Sequence, residues 1–338
     1  MKMLKITQEE ADSMFVSLSQ KYRIIAPVEK IGEGRFSNTS LLTYDEVKSF
    51  GEIEFFKKTY FSPKEILNPI RQSLFEFKRK DIREICELIP PSIVFLRACD
   101  INAIHVTDAH FLNNEKFKDI YYKRRRDRVK LFLMECKEPF ESCFCVSMGA
   151  NKTEDYSGFV RKVDDGYEIK VTDSELENAF SEGTPKDVEP AFVEKDKNPI
   201  TIPGDIEPSL FENDIWKEYS KRCNACGRCN TSCPTCTCFT IQDIFSENSN
   251  NAGERRRIWS SCQVKNFAIL AGNHDFRIPK GDRMRYKVLH KIRDFRKITG
   301  FNMCVGCGRC DDVCPEYISM FKCIEKINKI TAKKKNDG

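Results

Sequence analysis

Cys223-Asn224-Ala225-Cys226-Gly227-Arg228-Cys229-Asn230-Thr231-Ser232-Cys233-Pro234 is a C-x2-C-x2-C-x3-C-P run. It returns as Cys304-Val305-Gly306-Cys307-Gly308-Arg309-Cys310-Asp311-Asp312-Val313-Cys314-Pro315. Three thiolates at this spacing wrap one cubane iron–sulfur core, and in paired runs the fourth reaches across to the other core. The repeat therefore predicts two [4Fe–4S] clusters, one on Cys223, Cys226, Cys229 and Cys314, the other on Cys304, Cys307, Cys310 and Cys233. Proline after the fourth thiolate turns the chain away, since it fixes φ and donates no N–H. Gly227 and Gly308, each following the second thiolate, let the backbone bend round an inorganic core. Zinc knots also use C-x2-C pairs, but they seldom space four cysteines in this way twice with a trailing proline.

Composition sets the context. The chain has 338 residues, enough for two domains, and 17 cysteines. Its N-terminus, Met1-Lys2-Met3-Leu4-Lys5-Ile6, shows no apolar leader, and no apolar run approaches the roughly 20 residues that cross a bilayer. The cysteines thus read as metal ligands in a reducing cytoplasm rather than as disulfides, and no membrane association is expected. A net charge of +5 on a charge-rich chain argues against a nucleic-acid partner. The clusters Arg124–Arg126, Arg255–Arg257 and Lys333–Lys335 read as solvated faces.

Along the chain, Thr7 with Glu10 three residues on forms a capping box that opens a helix. Ser62-Pro63-Lys64-Glu65 is expected to open a second. Ile93–Leu96 and Val129–Met134 read as buried strands, joined through helical stretches at 103–111 and 119–127, which suggests a parallel element. Asp164-Asp165-Gly166 marks a hairpin between Phe159–Val163 and Tyr167–Val171. Five prolines between Gly183 and Pro208 indicate a linker or strap. Gly32 and Gly34 make a lone G-x-G, too little for a nucleotide loop. The predicted class is α+β: an N-terminal α/β domain over 1–183 with short buried strands and a hairpin, a Pro-rich linker over 184–208, a mostly helical two-cluster ferredoxin-like domain over 209–330, and a basic tail over 331–338. The 70 residues between Cys233 and Cys304 make that second domain larger than a small ferredoxin. Helical spacing of Val288, Ile292 and Phe295 before Gly300 supports a helix there.

Nine cysteines lie outside the two runs. Cys99 and Cys136 each follow a predicted strand, and the carboxyl ends of parallel strands share one edge, where such folds bind ligands. With Cys143 and Cys145 they form a candidate set for a third cluster, the other reading being small buried hydrophobes. Cys236, Cys238 and Cys262 form a further partial set beside the first run, read chiefly as packing around the clusters, with a ligand role as the alternative. Cys86 and Cys323 are read as core, and none of the four histidines lies in a haem-attachment motif. No nucleophile elbow, H-E-x-x-H or P-loop is present. No catalytic residue is therefore assigned.

The segments Arg97-Ala98-Cys99-Asp100-Ile101-Asn102-Ala103, Cys143-Phe144-Cys145-Val146-Ser147-Met148-Gly149, Cys223–Cys238 and Cys304–Cys310 together resemble the iron–sulfur electron-transfer component of anaerobic sulfite reductase. Gly253-Glu254-Arg255-Arg256-Arg257 and Trp259-Ser260-Ser261-Cys262 extend the likeness over most of the chain. The β subunits of cytosolic sulfhydrogenases share a looser version. The resemblance implies a cytoplasmic heterotrimer that reduces sulfite to hydrogen sulfide. A flavin subunit would oxidise a reduced nicotinamide, a sirohaem subunit would hold sulfite, and this chain would relay electrons between them without catalysing the reaction alone. The rival readings are the iron–sulfur β subunit of a hydrogenase or sulfhydrogenase, and a zinc-stabilised binding module.

Overall fold

The segment Ser92-Ile93-Val94-Phe95-Leu96 is apolar on both faces, so only a strand covered on both sides can hold it. In the computed structural model, which describes residues 1–338 apart from 35–37, 114–115, 205, 248 and 337–338, all five of these residues are buried. Ser92–Leu96 lies inside an eight-stranded mixed sheet. The order is Thr184–Pro185, Lys2–Ile6, Gly166–Val171, Gly158–Val163, Val129–Met134, Ser92–Leu96, Arg23–Lys30 and Leu41–Glu46. The middle four strands, from Gly158–Val163 to Arg23–Lys30, run parallel, and the outer pairings are antiparallel.

One face is packed by helix Gln8–Ser19, whose Ala11, Met14, Phe15 and Leu18 join Ile93, Phe95, Phe132 and Tyr167. The Thr7 capping box is present: Glu10 N donates to Thr7 Oγ1 at 3.2 Å and Thr7 N to Glu10 Oε2 at 2.7 Å. The opposite face, Val94, Leu96, Leu131 and Leu133, is covered by helix Ala98–Phe111 and by Tyr122 of helix Ile120–Arg126. At 164–165 a two-residue turn joins Gly158–Val163 to Gly166–Val171 in antiparallel register. Ser62–Glu65 differs from expectation. It makes only a single 3₁₀ turn, Pro63–Ile66, because Pro69 disfavours helical backbone at Asn68 and ends the element.

The C-terminal half is built on helices Ile215–Arg222, Lys280–Leu289, Phe295–Thr299 and Met320–Asn336, around Trp216, Tyr219, Val288, Ile292, Cys323 and Ile324. The chain is α+β, and the stretch between the two cysteine runs adds a long β-hairpin, Phe239–Ser246 with Ser249–Trp259. This hairpin pairs with Arg71–Lys78, which pairs with Asp81–Glu84, so one four-stranded antiparallel sheet draws strands from both halves. Arg257 on the hairpin is 4% exposed, bonded to Gln72 and ion-paired with Asp119, which corrects its reading as a solvated residue. Arg255 pairs with Asp243, and Arg124, Arg125 and Arg126 pair with Glu84, Glu87 and Asp108. The Lys333–Lys335 run falls in the last turns of helix Met320–Asn336, and its side chains lie outside the described residues.

The described residues of 186–207 form no helix and no extended strand, but they are fixed to both halves. Asp196 accepts hydrogen bonds from the N–H groups of Val146 and Ser147 and from the Ser147 hydroxyl. Arg296 donates to the carbonyl of Pro203 and Asn328 to that of Thr201. The two halves are also locked by a buried ion pair. Arg309, inside the second cysteine run and 1% exposed, meets fully buried Asp100 in a bidentate contact of 2.5 and 2.9 Å. Thr59 accepts from Arg309 through its carbonyl and hydroxyl, and the Tyr44 hydroxyl donates to Asp100. Removing one partner of such a pair leaves an uncompensated buried charge. Arg309→Ala and Asp100→Ala are each expected to cost about 3–5 kcal/mol, measured as denaturant midpoints of anaerobically purified protein. Arg228→Ala, at the exposed equivalent position of the first run, should change stability by no more than about 0.5 kcal/mol.

Candidate iron–sulfur centres

The two runs have nearly the same backbone. Ala225 and Gly227 have φ of 61° and 77°, and their counterparts Gly306 and Gly308 have 65° and 71°. Each run thus places left-handed residues two and four positions after its first cysteine and then enters a short helix, Arg228–Thr231 or Arg309–Asp312. Such reversals turn successive N–H groups toward a common point, a concavity suited to anionic clusters. Ala225 N donates to Cys223 Sγ at 3.3 Å, and Ile318 N to Cys314 Sγ at 3.3 Å.

Cys223, Cys226, Cys229 and Cys314 line one cavity, with Lys287, Met284 and Cys310 on its walls. Three of the five thiols on this cavity come from the first run and two, Cys310 and Cys314, from the second. On the other side, Cys233 lies within electrostatic reach of Cys304, Cys307 and Cys310. Burial pushes the thiols of Cys304 and Cys307 up, to about 11 and about 12, as expected of sulfur held away from water. Four thiols round one cavity, with N–H donors aimed at two of them, fit a cubane cluster.

Cys236, Cys238 and Cys262 gather at the base of the long hairpin, where Ser260 N donates to the Cys238 carbonyl at 2.9 Å. The Cys236 thiol lies beside that of Cys233, and Cys238 beside Cys262. The Cys262 thiol is drawn down to about 5 by hydrogen bonds, first from Cys238 and then from Gln263 and Asn230. The sequence groups these three cysteines beside the first run but does not indicate their pairing, because the hairpin that closes the group carries no clear periodic signal.

Cys99, Cys136, Cys143 and Cys145 come together at the carboxyl edge of the parallel strands. Cys99 lies in electrostatic reach of Cys145, and Cys136 of Cys143 and Cys145. Burial is the main cause raising all four thiols, Cys145 to about 12. Arg97, 3% exposed, lies beside Cys136, and its Nη1 is buried without a hydrogen-bond partner. The set abuts the second run: Phe144 N donates to the Gly306 carbonyl at 2.8 Å, and Cys143 Sγ to that of Cys307 at 3.5 Å. Lys58 bonds to Ser142 and to the Cys307 carbonyl and pairs with Asp312 at the same junction. Cys323 is fully buried, as its reading as core requires. Cys86 is exposed, against the same reading, because it follows the edge strand Asp81–Glu84, whose residues are themselves exposed.

Comparison with known proteins agrees with the geometry. Residues 222–318 match the family described as the 4Fe-4S dicluster domain. The chain is also 29% identical over 344 residues to the sulfhydrogenase 2 subunit beta of Pyrococcus furiosus, covering 97% of this chain and 98% of that one. The fold and site define an iron–sulfur electron-transfer protein. It carries two [4Fe–4S] clusters in its C-terminal half. Among the described residues no helix is long and apolar enough to cross a membrane.

The crossed ligation makes a specific expectation. Cys314→Ser should abolish the same EPR signal as Cys229→Ser, and Cys233→Ser the same signal as Cys307→Ser. Grouping by run, with Cys314→Ser matching Cys307→Ser, would overturn the assignment.

Proposed function

We propose that this chain is the iron–sulfur relay of a multi-subunit oxidoreductase, passing electrons from a flavin subunit that oxidises a reduced nicotinamide to a separate catalytic subunit. The observation that carries this is the cavity lined by Cys223, Cys226, Cys229 and Cys314, whose rim reaches the surface at exposed Cys226, beside deeply buried Cys233 and Cys307. Bound clusters supply one-electron chemistry. The protein's share is to hold the thiolates, exclude water and fix the local charge.

Of the two terminal partners, the full-length likeness to a sulfhydrogenase β subunit favours a hydrogenase-type catalytic subunit. The resemblance of Arg97–Ala103 and Cys143–Gly149 to the iron–sulfur component of anaerobic sulfite reductase favours a sirohaem subunit that reduces sulfite to sulfide. A cytoplasmic complex is proposed in either case. Anaerobic purification of the native complex distinguishes the two: nickel in the partner marks the first, and a sirohaem absorption spectrum the second. Colourless protein with zinc and no acid-labile sulfide would sink both.

We also propose that Cys99, Cys136, Cys143 and Cys145 hold a third cluster. Its support is the convergence of four thiols against the second run, beside a buried Arg97 whose Nη2 is held by the carbonyls of Phe55 and Lys57 while Nη1 has no partner. Electrons would then pass from this set to the Cys304 run and on to the Cys223 run, or the reverse. Cys99→Ser is expected to lower iron and sulfide by one cluster's worth without disturbing the C-terminal pair. Unchanged iron would return these thiols to the core. In the assembled complex, Cys223→Ser or Cys307→Ser should cut nicotinamide-driven turnover at least about 100-fold, since a relay lacking one centre has no alternative path. Full turnover in either would overturn the relay.

A further inference from the structure

Helix Lys280–Leu289 and the π-turn His290–Asp294 that continues it thread between the two cysteine runs. On this segment Lys287 and Lys291, one helical turn apart, are 4% and 3% exposed. A buried ammonium is tolerated only with a compensating anion, because desolvation costs several kcal/mol. Among the described residues neither lysine forms an ion pair with a carboxylate. Lys291 Nζ donates to Thr235 Oγ1 at 2.7 Å, a neutral partner. The carboxylate in electrostatic reach of Lys287 is Asp311, which is itself held by the Ser319 hydroxyl and by the N–H of Met320 at 2.8 Å.

What surrounds the two ammonium groups is sulfur. Lys287 lines the cavity of the first cluster beside Cys229 and faces Cys310 and Cys236. Lys291 faces Cys233, Cys236 and Cys304. Its carbonyl accepts the N–H of Met303 at 2.9 Å and of Cys304 at 3.4 Å, so the second run is docked directly on this turn. The helix is rigidly seated: a Cβ on Gly281 would lie 2.0 Å from the Trp216 carbonyl oxygen, and buried Arg283 donates to the carbonyls of Gln263, Arg277 and Ile278. Lys64 approaches the same thiols from the N-terminal half, but it donates to the carbonyls of Asn230 and Cys236 and lies over the Trp259 ring.

We infer that Lys287 and Lys291 are the internal counter-charges of the two clusters and set their reduction potentials, Lys287 acting chiefly on the cluster of the Cys223 run and Lys291 on that of the Cys304 run. A fixed positive charge stabilises the reduced, more negative state of a cluster and so raises its potential. Both are positioning residues; neither carries an electron. The inference rests on the two-cluster reading.

The test is a mediated redox titration followed by EPR on anaerobically purified protein. Lys287→Met and Lys291→Met should each move the potential of the assigned cluster to more negative values by at least about 59 mV, a tenfold change in a one-electron equilibrium. Iron content should stay at the wild-type level and Lys→Arg should preserve the potential. If a methionine variant does not retain iron, Lys287→Gln and Lys291→Gln give the readout, since they keep a donor and lose the charge. Lowered potentials in the glutamine variants with preserved potentials in the arginine variants support the assignment. Unchanged potentials in fully loaded methionine or glutamine variants overturn it, as would equal shifts in arginine and glutamine variants. Failure of the cluster reading itself is separable, since wild-type protein would then lack iron and acid-labile sulfide.

Discussion

The contact on which the arrangement of this protein depends is the buried pair between Arg309 and Asp100. Arg309 stands between Cys307 and Cys310 of the second run, and Asp100 follows Cys99 at the start of a helix that leaves the parallel sheet. Neither charge could be buried alone, so the second run is held against the carboxyl edge of the sheet. Phe144 N on the Gly306 carbonyl and Lys58 on the Cys307 carbonyl reinforce the same junction. Cys310 of the second run lines the same cavity as Cys223, Cys226 and Cys229, so fixing one run positions both.

That junction makes two near-identical sequences unequal. Arg228 is exposed where Arg309 is buried, although both occupy the same place in C-G-R-C. Ala225 adopts the same left-handed backbone as Gly306, at a cost of order 1 kcal/mol. Of this pair glycine is required at 306, where a Cβ would come within 2.4 Å of the Phe144 carbonyl oxygen. Gly308 is constrained in the same manner by Ser142, whereas Gly227 meets side chains no nearer than 3.1 Å. The second run is thus shaped by the backbone of its neighbour, whereas the first meets only side chains at Gly227 and stays open to solvent at Cys226.

Charge follows the same logic. Lys287, Lys291, Lys58, Arg97 and Arg309 are drawn from four separate parts of the chain and placed among the thiols. In sequence these residues are indistinguishable from the many surface lysines and arginines of a chain with 56 basic residues. Their burial is decided by which helix face meets the cysteine runs, a tertiary fact.

The sequence by itself determined the chemistry. Ligand spacing is a local property of a few residues round a cubane core, and apolar runs such as Ile93–Leu96, with the capping box at Thr7, are read equally locally. The four-stranded sheet escaped that reading, because Arg71–Lys78 and Phe239–Trp259 are far apart in the chain and mix exposed apolar with charged residues on both faces. Periodicity reports a buried face, and this sheet has little of one. The convergence of Cys236, Cys238 and Cys262 depends on that hairpin, and the docking of Cys143 on the second run depends on Arg309 finding Asp100. Only the tertiary structure decided these, since each is a contact between segments whose separation in sequence carries no signal of their meeting.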